Sequence, residues 1–450
     1  MAGGMFHLDE EMADLLFAYC RARLSLEDVP LDLPGEKVVL DAALSGLVNA
    51  RGSDVRRVLD VFEHTLATAV ISCDSTRFLS FIPGAPTKAS LLFDMVVSSA
   101  SLQGISWLEA AGAVAAENQV LSVIAGRAGM PDSSGGCFVS GGSAANLSAL
   151  AVARERGRAR IGRESVRIAV SDQAHSSIWA ALRLLSVEPF VVPTVDHRLD
   201  GVRLREVLDA DPRRDDVVGV VATAGTTNAG IIDDLSGIGA FARDRGLWYH
   251  VDGAYGGAGI FSTQVRDRYA GVASADSFVV DPHKWLFSPF DCAALVYREP
   301  AAARAVHTQN AGYLDVLHGD APEEWNPSDY AYHLTRRARG LPLWFSLAVH
   351  GTDAYGEAID AAIDIACRAA ELVGAAPWLE LVREPELSVV LFRRKGWVAA
   401  DYARWSTRLL RDQIGFVMPT VWEGETVGRL AFLHPGTTVE IVAEVLATTA

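Results

Sequence analysis

The sequence predicts an α/β protein with a mostly parallel sheet in a large domain and a small α+β domain at its carboxyl end. Two patterns support this prediction. Between residues 137 and 298, short apolar runs alternate with helical stretches. After about residue 345, the alternation gives way to a long helical stretch and two further apolar runs. Continuous apolar strands separated by helices are typical of a parallel sheet that is covered on both faces.

Three parts are predicted along the chain. Its 450 residues are enough for two or three domains. Residues 1–76 are expected to form an N-terminal helical arm with breaks near Pro30 and Pro34. Residues 77–345 are expected to form the large domain, and residues 346–450 the small α+β domain.

The large domain begins with a loop, RFLSFIPGAPT (77–87), whose prolines and glycine interrupt regular structure. Two largely buried helices are predicted over residues 88–128. The predicted strands of this domain are 137–140, 166–171, 189–195, 216–224, 247–252, 277–281 and 292–298. In the small domain, a helix over 346–374 leads to strands at 387–395 and 429–435 that are separated by another helix.

Composition and charge argue against several classes of protein. The formal net charge is −16, whereas a nucleic-acid-binding surface needs clustered Lys and Arg. The N-terminus carries acidic residues where a secretory signal has basic ones. The apolar stretch 88–114 is interrupted by Asp94 and Glu109, so it is not a membrane span. We therefore expect a cytoplasmic protein with no nucleic-acid and no membrane partner.

The cysteines show no spacing that is typical of a metal site. Five of them are scattered along the chain without a CxxC pair: Cys20, Cys73, Cys137, Cys292 and Cys367. We interpret them as buried thiols in a reducing compartment, and we expect no metal site.

Polar residues follow the carboxyl ends of the predicted strands, which is where ligands bind in open α/β sheets. In VSGGSAANLSAL (139–150), a strand leads to Gly141, Gly142 and Ser143 and then to a helix. The free N–H groups of such a helix N-terminus can hold an anion. A glycine turn capped by Ser143 is the simpler interpretation.

Two further strand ends carry side chains that each have a structural explanation. His175 lies in SDQAHSSI (171–178), where it could simply cap a helix. Thr226 and Thr227 lie in ATAGTTNAGIIDDL (222–235), where a hydroxyl-capped turn would account for them. Neither segment identifies a function by itself.

Two charged residues are harder to explain as structure alone. Asp252 ends an apolar strand in LWYHVDGAYGG (247–257), and a buried carboxylate is costly unless it is paired or hydrogen-bonded. Lys284 follows another strand in SFVVDPHKWLF (277–287), where burial favours the neutral, nucleophilic amine. The alternatives are an incidental helix cap at Asp252 and a lysine at 284 whose head reaches water.

One ligand would use all of these groups. Pyridoxal phosphate (PLP) needs an anion cradle for its phosphate, a flat side chain against its ring, a carboxylate beside its ring nitrogen and a lysine amine for its aldehyde. Gly142 with Ser143, then His175, Asp252 and Lys284, match these needs in the same order. The sequence therefore predicts a PLP site at the carboxyl edge of the sheet.

The ordered motifs DQAHSS, HVDGAYGG and ADSFVVDPHKW resemble the PLP-dependent group II amino-acid decarboxylases, the family of aromatic-L-amino-acid, glutamate and cysteine-sulfinate decarboxylases. The resemblance runs from about Arg77 to RLAFLHPGTT (429–438). It implies the aspartate-aminotransferase-like fold (PLP-dependent transferase fold type I). It also implies an intertwined homodimer with active sites at the interface, around which residues 1–76 would wrap.

Individual roles follow from the resemblance. Lys284 would be the Schiff-base lysine, Asp252 would pair with the pyridine nitrogen, and His175 would stack on the ring. The other cofactor contacts that it implies are Gly142, Ser143, Thr227 and His283. Phe81 and Pro83 would face the substrate.

The predicted reaction is the decarboxylation of an L-amino acid to an amine and CO₂. An aromatic or apolar side chain is favoured, because FIPGAPT (81–87) contains no basic residue. By resemblance, Tyr313 in a mobile catalytic loop would protonate Cα after CO₂ leaves, whereas aldehyde-forming relatives typically carry phenylalanine there. His175 is the alternative proton donor.

Several alternatives stay open at this point. The loop between Tyr313 and RRARGLPLWF (336–345) is a few residues shorter than is usual in the family, and so is the N-terminal arm. Decarboxylation coupled to oxidative deamination, which gives an aldehyde, and β-elimination are alternatives on the same scaffold. Transamination and a non-catalytic anion-binding function are two others.

Overall fold

A computed structural model describes residues 5–309 and 324–450 of the chain. Its centre is a sheet of seven strands: β1 (Gly135–Val139), β2 (Arg167–Ser171), β3 (Glu188–Val192), β4 (Val217–Thr223), β5 (Trp248–Asp252), β6 (Ser277–Val280) and β7 (Ala293–Tyr297). They pair in the order β1-β7-β6-β5-β4-β2-β3. The strands β2 to β6 pair in parallel, and β7 is antiparallel to both of its neighbours. The prediction of a mostly parallel sheet is confirmed.

Burial explains why most residues of these strands are apolar. Six of them are buried along their whole length, and the exception is β3 at the edge of the sheet. Glu188 and Pro189 both lie in β3, where an exposed charge and a missing N–H group are tolerated. The continuous apolar runs in the sequence therefore mark strands that are covered on both faces.

Helices supply that cover. The helices of the described residues are α1 (Glu10–Leu24), α2 (Lys37–Leu44), α3 (Val55–Val61), α4 (Lys88–Ser99), α5 (Trp107–Arg127), α6 (Gly142–Ile161), α7 (Ser176–Leu184), α8 (Gly201–Asp209), α9 (Leu235–Arg245), α10 (Pro300–His307), α11 (Leu341–Ala375), α12 (Ala399–Arg411) and α13 (Val439–Ala447). Residues from α6, α7 and α10 form one core with the sheet, and residues from α5, α8, α9 and α11 form another. Among these helices, none has both the length and the apolar character that crossing a membrane requires.

A second, smaller sheet lies near the carboxyl end of the chain. Its strands are β8 (Leu379–Leu381), β9 (Val389–Arg394), β10 (Thr420–Trp422) and β11 (Glu425–Ala431). They pair antiparallel in the order β10-β11-β9-β8, and α12, α13 and the end of α11 pack against them. The predicted boundary at residue 345 falls inside α11, so the division into three parts stays a prediction.

The helices that precede β1 differ in burial. No residue of α1, α2 or α3 is buried, whereas α5 buries seven residues. The prediction of a largely buried helix is wrong for α4, which buries only Ser90 and Val97. Leu92 and Val96 of α4 are half exposed, because no other described part of the chain covers that face.

The cysteines are all free thiols. Cys137 and Cys292 are buried, and burial raises the pKa of the Cys137 thiol to about 12. The interpretation as buried thiols is wrong for Cys367, which is exposed on α11, and only partly right for Cys20 and Cys73, which are half-buried.

A buried ion pair links α5 to the segment before α11. Arg336 Nη2 lies 2.7 Å from Glu117 Oε1, and both side chains are almost fully buried. The same carboxylate oxygen accepts a hydrogen bond from the main-chain N–H of Gly340 (2.8 Å). Arg336 also donates to the main-chain oxygen of Gly104. Because neither charge can reach water, each depends on the other.

Removing one partner should therefore be costly. We expect Glu117→Ala to lower the free energy of unfolding by about 3–5 kcal/mol, because Arg336 would remain buried without its counter-ion. Glu371→Ala is the control, since Glu371 pairs with Arg368 at the exposed surface of α11 and should contribute less than about 1 kcal/mol. Urea-induced unfolding of both variants measures the difference, and equal effects would contradict it.

Candidate active site

The carboxyl ends of five strands meet at one edge of the large sheet. β2, β4, β5 and β6 are parallel, and β1 has the same direction as β6 because both are antiparallel to β7. A cavity of about 170 Å³ lies at this edge. Four of the predicted site residues line it together: His175, Thr227, Asp252 and Lys284.

Asp252 is the last residue of β5 and is only 4% exposed. Its Oδ1 accepts a hydrogen bond from the main-chain N–H of Ala254 (3.1 Å), and its Oδ2 accepts one from Asn146 Nδ2 (3.0 Å). The helical turn that follows begins at Gly256, so Asp252 does not cap it. A buried, hydrogen-bonded carboxylate that faces a cavity is suited to bind a cation or an N–H group of a ligand.

His175 has two functions in the structure. It is the N-cap residue of α7, where its Nδ1 accepts the main-chain N–H of Ser177 (3.2 Å). The same nitrogen lies 2.8 Å from Ser177 Oγ. His175 also lines the cavity, so the interpretation as a helix cap and the interpretation as a site residue hold together.

Lys284 is paired with a carboxylate. Its side chain is 22% exposed, and its Nζ lies 2.9 Å from Asp281 Oδ2. Asp281, which is 1% exposed, also accepts the main-chain N–H of Gly142 (3.1 Å). Asp281 thus joins the lysine to the N-terminus of α6. It is not among the predicted residues, although its place at a strand end, three residues before Lys284, was a usable signal.

The glycine turn before α6 brings the backbone close to Asp281. A Cβ atom at Gly142 would lie 2.9 Å from both Ala254 Cβ and Asp281 Oδ2, so a side chain does not fit there. The N-cap residue of α6 is Gly141, and no side chain caps the helix. The interpretation of Ser143 as a cap is therefore wrong, because Ser143 is the second residue of the helix and is exposed.

His283 lies between the glycine turn and the strands. Its Nδ1 accepts the main-chain N–H of Cys292 (3.0 Å), and its Nε2 lies 3.7 Å from Asp281 Oδ2. Burial lowers the pKa of His283, and the Asp281 carboxylate partly opposes that shift. The Cε1 atom of His283 would lie 3.6 Å from a Cβ at Gly141, which places the imidazole beside the turn.

The loop 77–87 lies against the Lys284 segment. The main-chain N–H of Gly84 donates to the oxygen of His283 (3.2 Å). A Cβ atom at Gly84 would lie 1.5 Å from the oxygen of Lys284. Phe81 is 58% exposed and has a positive φ of 49°. The structure thus places Gly84, the residue after Pro83, against the segment that carries the lysine.

Arg429 of β11 is a buried cation that the sequence did not reveal. Its guanidinium donates to the main-chain oxygens of Thr227 (2.6 Å), Asn228 (3.2 Å) and Phe81 (3.3 Å). Among the described residues, no carboxylate pairs with it, and burial lowers its pKa to about 10. Arg429 therefore links the small sheet to the loop of Thr227 and Asn228, which lines the cavity, and to the loop 77–87.

One predicted residue cannot be placed. Tyr313 and the catalytic loop expected around it lie outside the described residues.

The chain matches known proteins over most of its length. Residues 42–395 match the family model described as the pyridoxal-dependent decarboxylase conserved domain. An aromatic-L-amino-acid decarboxylase of Bacillus atrophaeus is 29% identical over 438 residues, which covers 94% of this chain and 90% of the relative. An L-2,4-diaminobutyrate decarboxylase of Rhizobium meliloti (strain 1021) is 33% identical over 377 residues, which covers 80% of this chain and 74% of the relative.

The fold is also similar to a solved structure of Oryza sativa TDC with PLP and tryptamine, with a TM-score of 0.88 and 24% sequence identity. The alignment covers 98% of this chain and 96% of that one. The large parallel sheet, the small antiparallel sheet and the cavity that holds a lysine and a buried carboxylate define a PLP-dependent enzyme of fold type I. The chain belongs to the pyridoxal-dependent decarboxylase family and is a PLP-dependent carboxy-lyase.

The groups around the cavity fit PLP. An amine, a buried carboxylate and an imidazole line one cavity, and a glycine gives close approach to a helix N-terminus beside it. Asp281 Oδ1 adds a further sign of a ligand, because this buried oxygen has no hydrogen-bond partner within the described residues. A ligand with a hydrogen-bond donor would satisfy it.

The contact between Gly84 and Lys284 predicts that a side chain at position 84 lowers both activity and stability. Gly84→Ala should lower CO₂ release about a hundredfold, because its methyl group would push the loop away from the Lys284 segment and misplace the amine. The free energy of unfolding should fall by about 1–3 kcal/mol. Both quantities can be measured on the PLP-loaded enzyme.

Gly374→Ala provides the matched control. Gly374 lies in α11, where a Cβ atom would meet open space. That variant should keep its activity, and its stability should be unchanged or up to about 1 kcal/mol higher. Full activity of Gly84→Ala would show that the loop does not fix the position of Lys284.

Proposed function

We propose that this protein decarboxylates an L-amino acid with an aromatic or apolar side chain and releases an amine and CO₂. The observation that carries the proposal is that Lys284 and Asp252 line the same cavity, with His175 and Thr227 beside them. An amine and a buried carboxylate in one small cavity are what PLP chemistry requires of a protein. Membership of the decarboxylase family supports the same reaction.

The proposed roles follow from the position of each group. When bound, PLP supplies an aldehyde that bonds to an amine and a pyridinium ring that accepts the electrons left behind by CO₂. Lys284 Nζ is the amine that holds the cofactor between turnovers, and Asp281 receives it as a counter-ion when it is free. Asp252 holds the proton of the ring nitrogen, and His175 packs on the ring.

The phosphate is proposed to lie at the N-terminus of α6. Gly142 and Ser143 supply the start of that helix, and His283 lies beside the turn. Thr227 borders the cofactor from the opposite loop. The N–H groups and the positive end of a helix dipole favour an anion at this place. Asp281 already accepts one of these N–H groups, so it competes with the phosphate for Gly142.

Aromatic side chains support the proposed substrate class. The rings of Phe81 and Phe416 lie 5.9 Å apart, and those of Phe416 and Phe78 lie 5.0 Å apart. Arg429 bonds to the main chain of both Phe81 and Thr227, so the loop that carries Phe81 is joined to a loop that lines the cavity. Pro83 continues the loop of Phe81. We propose that the apolar rings of this loop favour a substrate side chain of the same kind.

A second charged group on the substrate is less favoured. Within the described lining of the cavity, Asp252 is the one carboxylate, and it is assigned to the cofactor. The second ammonium of a substrate such as L-2,4-diaminobutyrate would find no further carboxylate there. Although one relative carries that substrate in its name, the cavity of this chain suits an uncharged side chain better.

The Cα atom of the substrate also needs a proton after CO₂ leaves. We propose Tyr313 for this step on the basis of the sequence, and His175 is the described imidazole that lines the cavity. If neither group protonates Cα in time, dissolved O₂ would take up two electrons and two protons to become H₂O₂, and water would then release the nitrogen as ammonia and leave an aldehyde. The reaction outcome is therefore tested together with the substrate.

The test combines two readings on one sample. PLP-loaded protein is mixed separately with L-phenylalanine, L-tyrosine, L-tryptophan, L-glutamate and L-2,4-diaminobutyrate, while CO₂ release and dissolved oxygen are followed. We expect CO₂ from an aromatic amino acid with no loss of oxygen. Lys284→Ala should lower the rate by at least about a thousandfold, because the covalent attachment is lost. Lys395→Ala, an exposed lysine of the small domain, should not change it.

Each other outcome has a definite meaning. CO₂ release with an equal loss of oxygen would identify an aldehyde-forming enzyme. CO₂ from the charged substrates alone would refute the proposed side-chain preference. A failure to release CO₂ from any of the amino acids would refute decarboxylation of this substrate class.

We further propose that the enzyme is a homodimer in which α1–α3 cover the partner. These helices bury no residue within their own chain. Phe17 of α1 is 63% exposed, and Val48, which lies between α2 and α3, is fully exposed. Large apolar side chains that the fold of their own chain leaves uncovered are typical of an interaction surface. A second copy is the partner that the family resemblance implies.

A single charge on this surface should weaken the dimer. We expect sedimentation equilibrium to give twice the mass of the chain for the native protein, and Phe17→Arg to raise the dissociation constant at least about tenfold through burial of an unpaired charge. Val398→Arg is the control, because Val398 is equally exposed in the small domain. A monomeric native protein, or equal effects of both substitutions, would contradict the proposal.

The free thiols are relevant to the cellular compartment of the protein. The five cysteines form no disulfide, and two of them are fully buried. Proteins that keep all their thiols reduced are typical of a reducing compartment. We therefore propose a cytoplasmic location.

A further inference from the structure

A buried chain of hydrogen bonds runs behind the cavity and ends at Asp252. Trp248 Nε1 lies 2.9 Å from Ser277 Oγ, which lies 2.8 Å from His250 Nδ1. His250 Nε2 lies 2.9 Å from Asn146 Oδ1, and Asn146 Nδ2 lies 3.0 Å from Asp252 Oδ2. His250, Asn146 and Ser277 are fully buried. The chain thus connects the interior of the sheet with the proposed cofactor carboxylate.

Asn146 is also the branch point toward His175. Its Nδ2 lies 3.0 Å from Ser177 Oγ, and that hydroxyl lies 2.8 Å from His175 Nδ1. One amide group therefore reaches two of the side chains that line the cavity. Asn146 lies in the first turns of α6, on the side that faces β5.

The chemistry of the end groups determines the direction of every hydrogen bond. An ionised carboxylate only accepts, so Asn146 must point its NH₂ group at Asp252 and its oxygen at His250. His250 must then carry its proton on Nε2 and accept at Nδ1. Ser277 donates to that Nδ1 and accepts from Trp248, whose indole N–H can only donate. No bond in the chain is left with two donors or two acceptors.

The charge state of His250 agrees with this direction. Burial lowers the pKa of His250 to about 4, against a smaller opposing effect of Asp252. A neutral imidazole has one donor and one acceptor, as the chain requires. A charged imidazole would have two donors and would break the bond from Ser277.

The hydrogen bonds that run from Asn146 through Ser177 to His175 also have a fixed direction. The main-chain N–H of Ser177 can only donate, and it donates to His175 Nδ1. His175 Nδ1 is therefore an acceptor, and its neutral ring carries the proton on Nε2. The Ser177 hydroxyl donates to Nδ1 and accepts from Asn146. The ring is held by two donors on one nitrogen, while its N–H lies on the other.

We propose that Asn146 is the positioning residue of the cofactor site, which fixes the Asp252 carboxylate and the His175 ring relative to each other through its two N–H groups. The inference rests on the roles proposed for Asp252 and His175. Outer groups that orient metal ligands typically change metal affinity or activity 10- to 100-fold, and we expect an effect of this size on PLP affinity here. Asn146 itself does not line the cavity.

Three variants test the proposal by PLP binding, which needs no turnover. Asn146→Leu has a similar size but removes both donors, and Asn146→Asp keeps the shape but replaces the NH₂ group by an acceptor. Each should raise the PLP dissociation constant about 10- to 100-fold at about pH 8. Ser406→Ala is the matched control, since it removes a buried hydrogen bond to Val417 in the small domain. That variant should bind PLP like the native enzyme.

The pH dependence separates positioning from a general loss of packing. The titratable groups that face position 146 are Asp252 and His250 on β5 and, through Ser177, His175 at the start of α7. In Asn146→Asp, two carboxylates about 3 Å apart would share one proton, and that proton restores a donor toward Asp252 as the pH is lowered. Relative to the native enzyme at each pH, PLP affinity of Asn146→Asp should recover between about pH 8 and pH 6. Asn146→Leu should not recover.

A second measurement needs neither the Asn146 variants nor the cofactor. In cofactor-free native protein labelled with ¹⁵N-histidine, His250 should give the signal of the Nε2–H tautomer from about pH 8 to pH 6. His250→Gln assigns the signal among the 11 histidines of the chain. A proton on Nδ1, or a charged ring in this range, would overturn the deduced direction of the chain.

The proposed function and the positioning role of Asn146 can fail separately. If the native protein binds no PLP, the proposed function fails. If the native protein binds PLP but Asn146→Leu binds it equally tightly, the positioning role fails and the proposed function stands. If both Asn146 variants fail to fold, the tautomer of His250 still decides the inference.

Discussion

The burial of one negative charge, the carboxylate of Asp252, is the constraint on which the site depends. A carboxylate at the end of a central strand cannot be solvated, so the fold must supply donors for it. One donor is local, because the chain turns at Ala254. The other comes from Asn146, which fixes how α6 lies over β5. Asn146 in turn requires His250, Ser277 and Trp248 behind it, so a polar network lies inside an otherwise apolar sheet. Such a network is stable only when every member is satisfied.

A second charge arrangement lies at the other side of the cavity. Asp281 holds the Lys284 ammonium and the Gly142 N–H at the same time, so lysine, carboxylate and helix N-terminus form one unit. Without a ligand, the two side-chain charges compensate each other at a buried place. If Lys284 bonds to PLP as proposed, Asp281 would lose that partner, and its carboxylate would lie next to the proposed phosphate position. The Gly142 N–H would then be shared between Asp281 and the phosphate.

Much of the fold and part of the candidate site could be predicted from the sequence. Whether a feature could be predicted depends on whether a local pattern in the sequence specifies it. The buried strands are continuous apolar runs, so the sheet and the strand-end residues His175, Asp252 and Lys284 follow from local patterns. Three-residue strands such as β8 and β10 carry too little pattern to be seen. The exposure of α4 and of Cys367 depends on which neighbours cover them, and composition does not contain that information. Asn146 and Arg429 acquire their meaning from partners more than a hundred residues away, which only the folded chain brings together.

Arg429 shows how the small domain takes part in the site without lining it. A buried guanidinium normally needs a carboxylate, yet the described partners of this one are main-chain oxygens of the loops that carry Thr227 and Phe81. The cost of burying it is reduced because these oxygens accept its N–H groups. β11 thus joins the loop of Thr227, which lines the cavity, and the loop of Phe81 with one side chain. A movement of the small sheet would shift both loops together, so the positions of Phe81 and Thr227 are not independent.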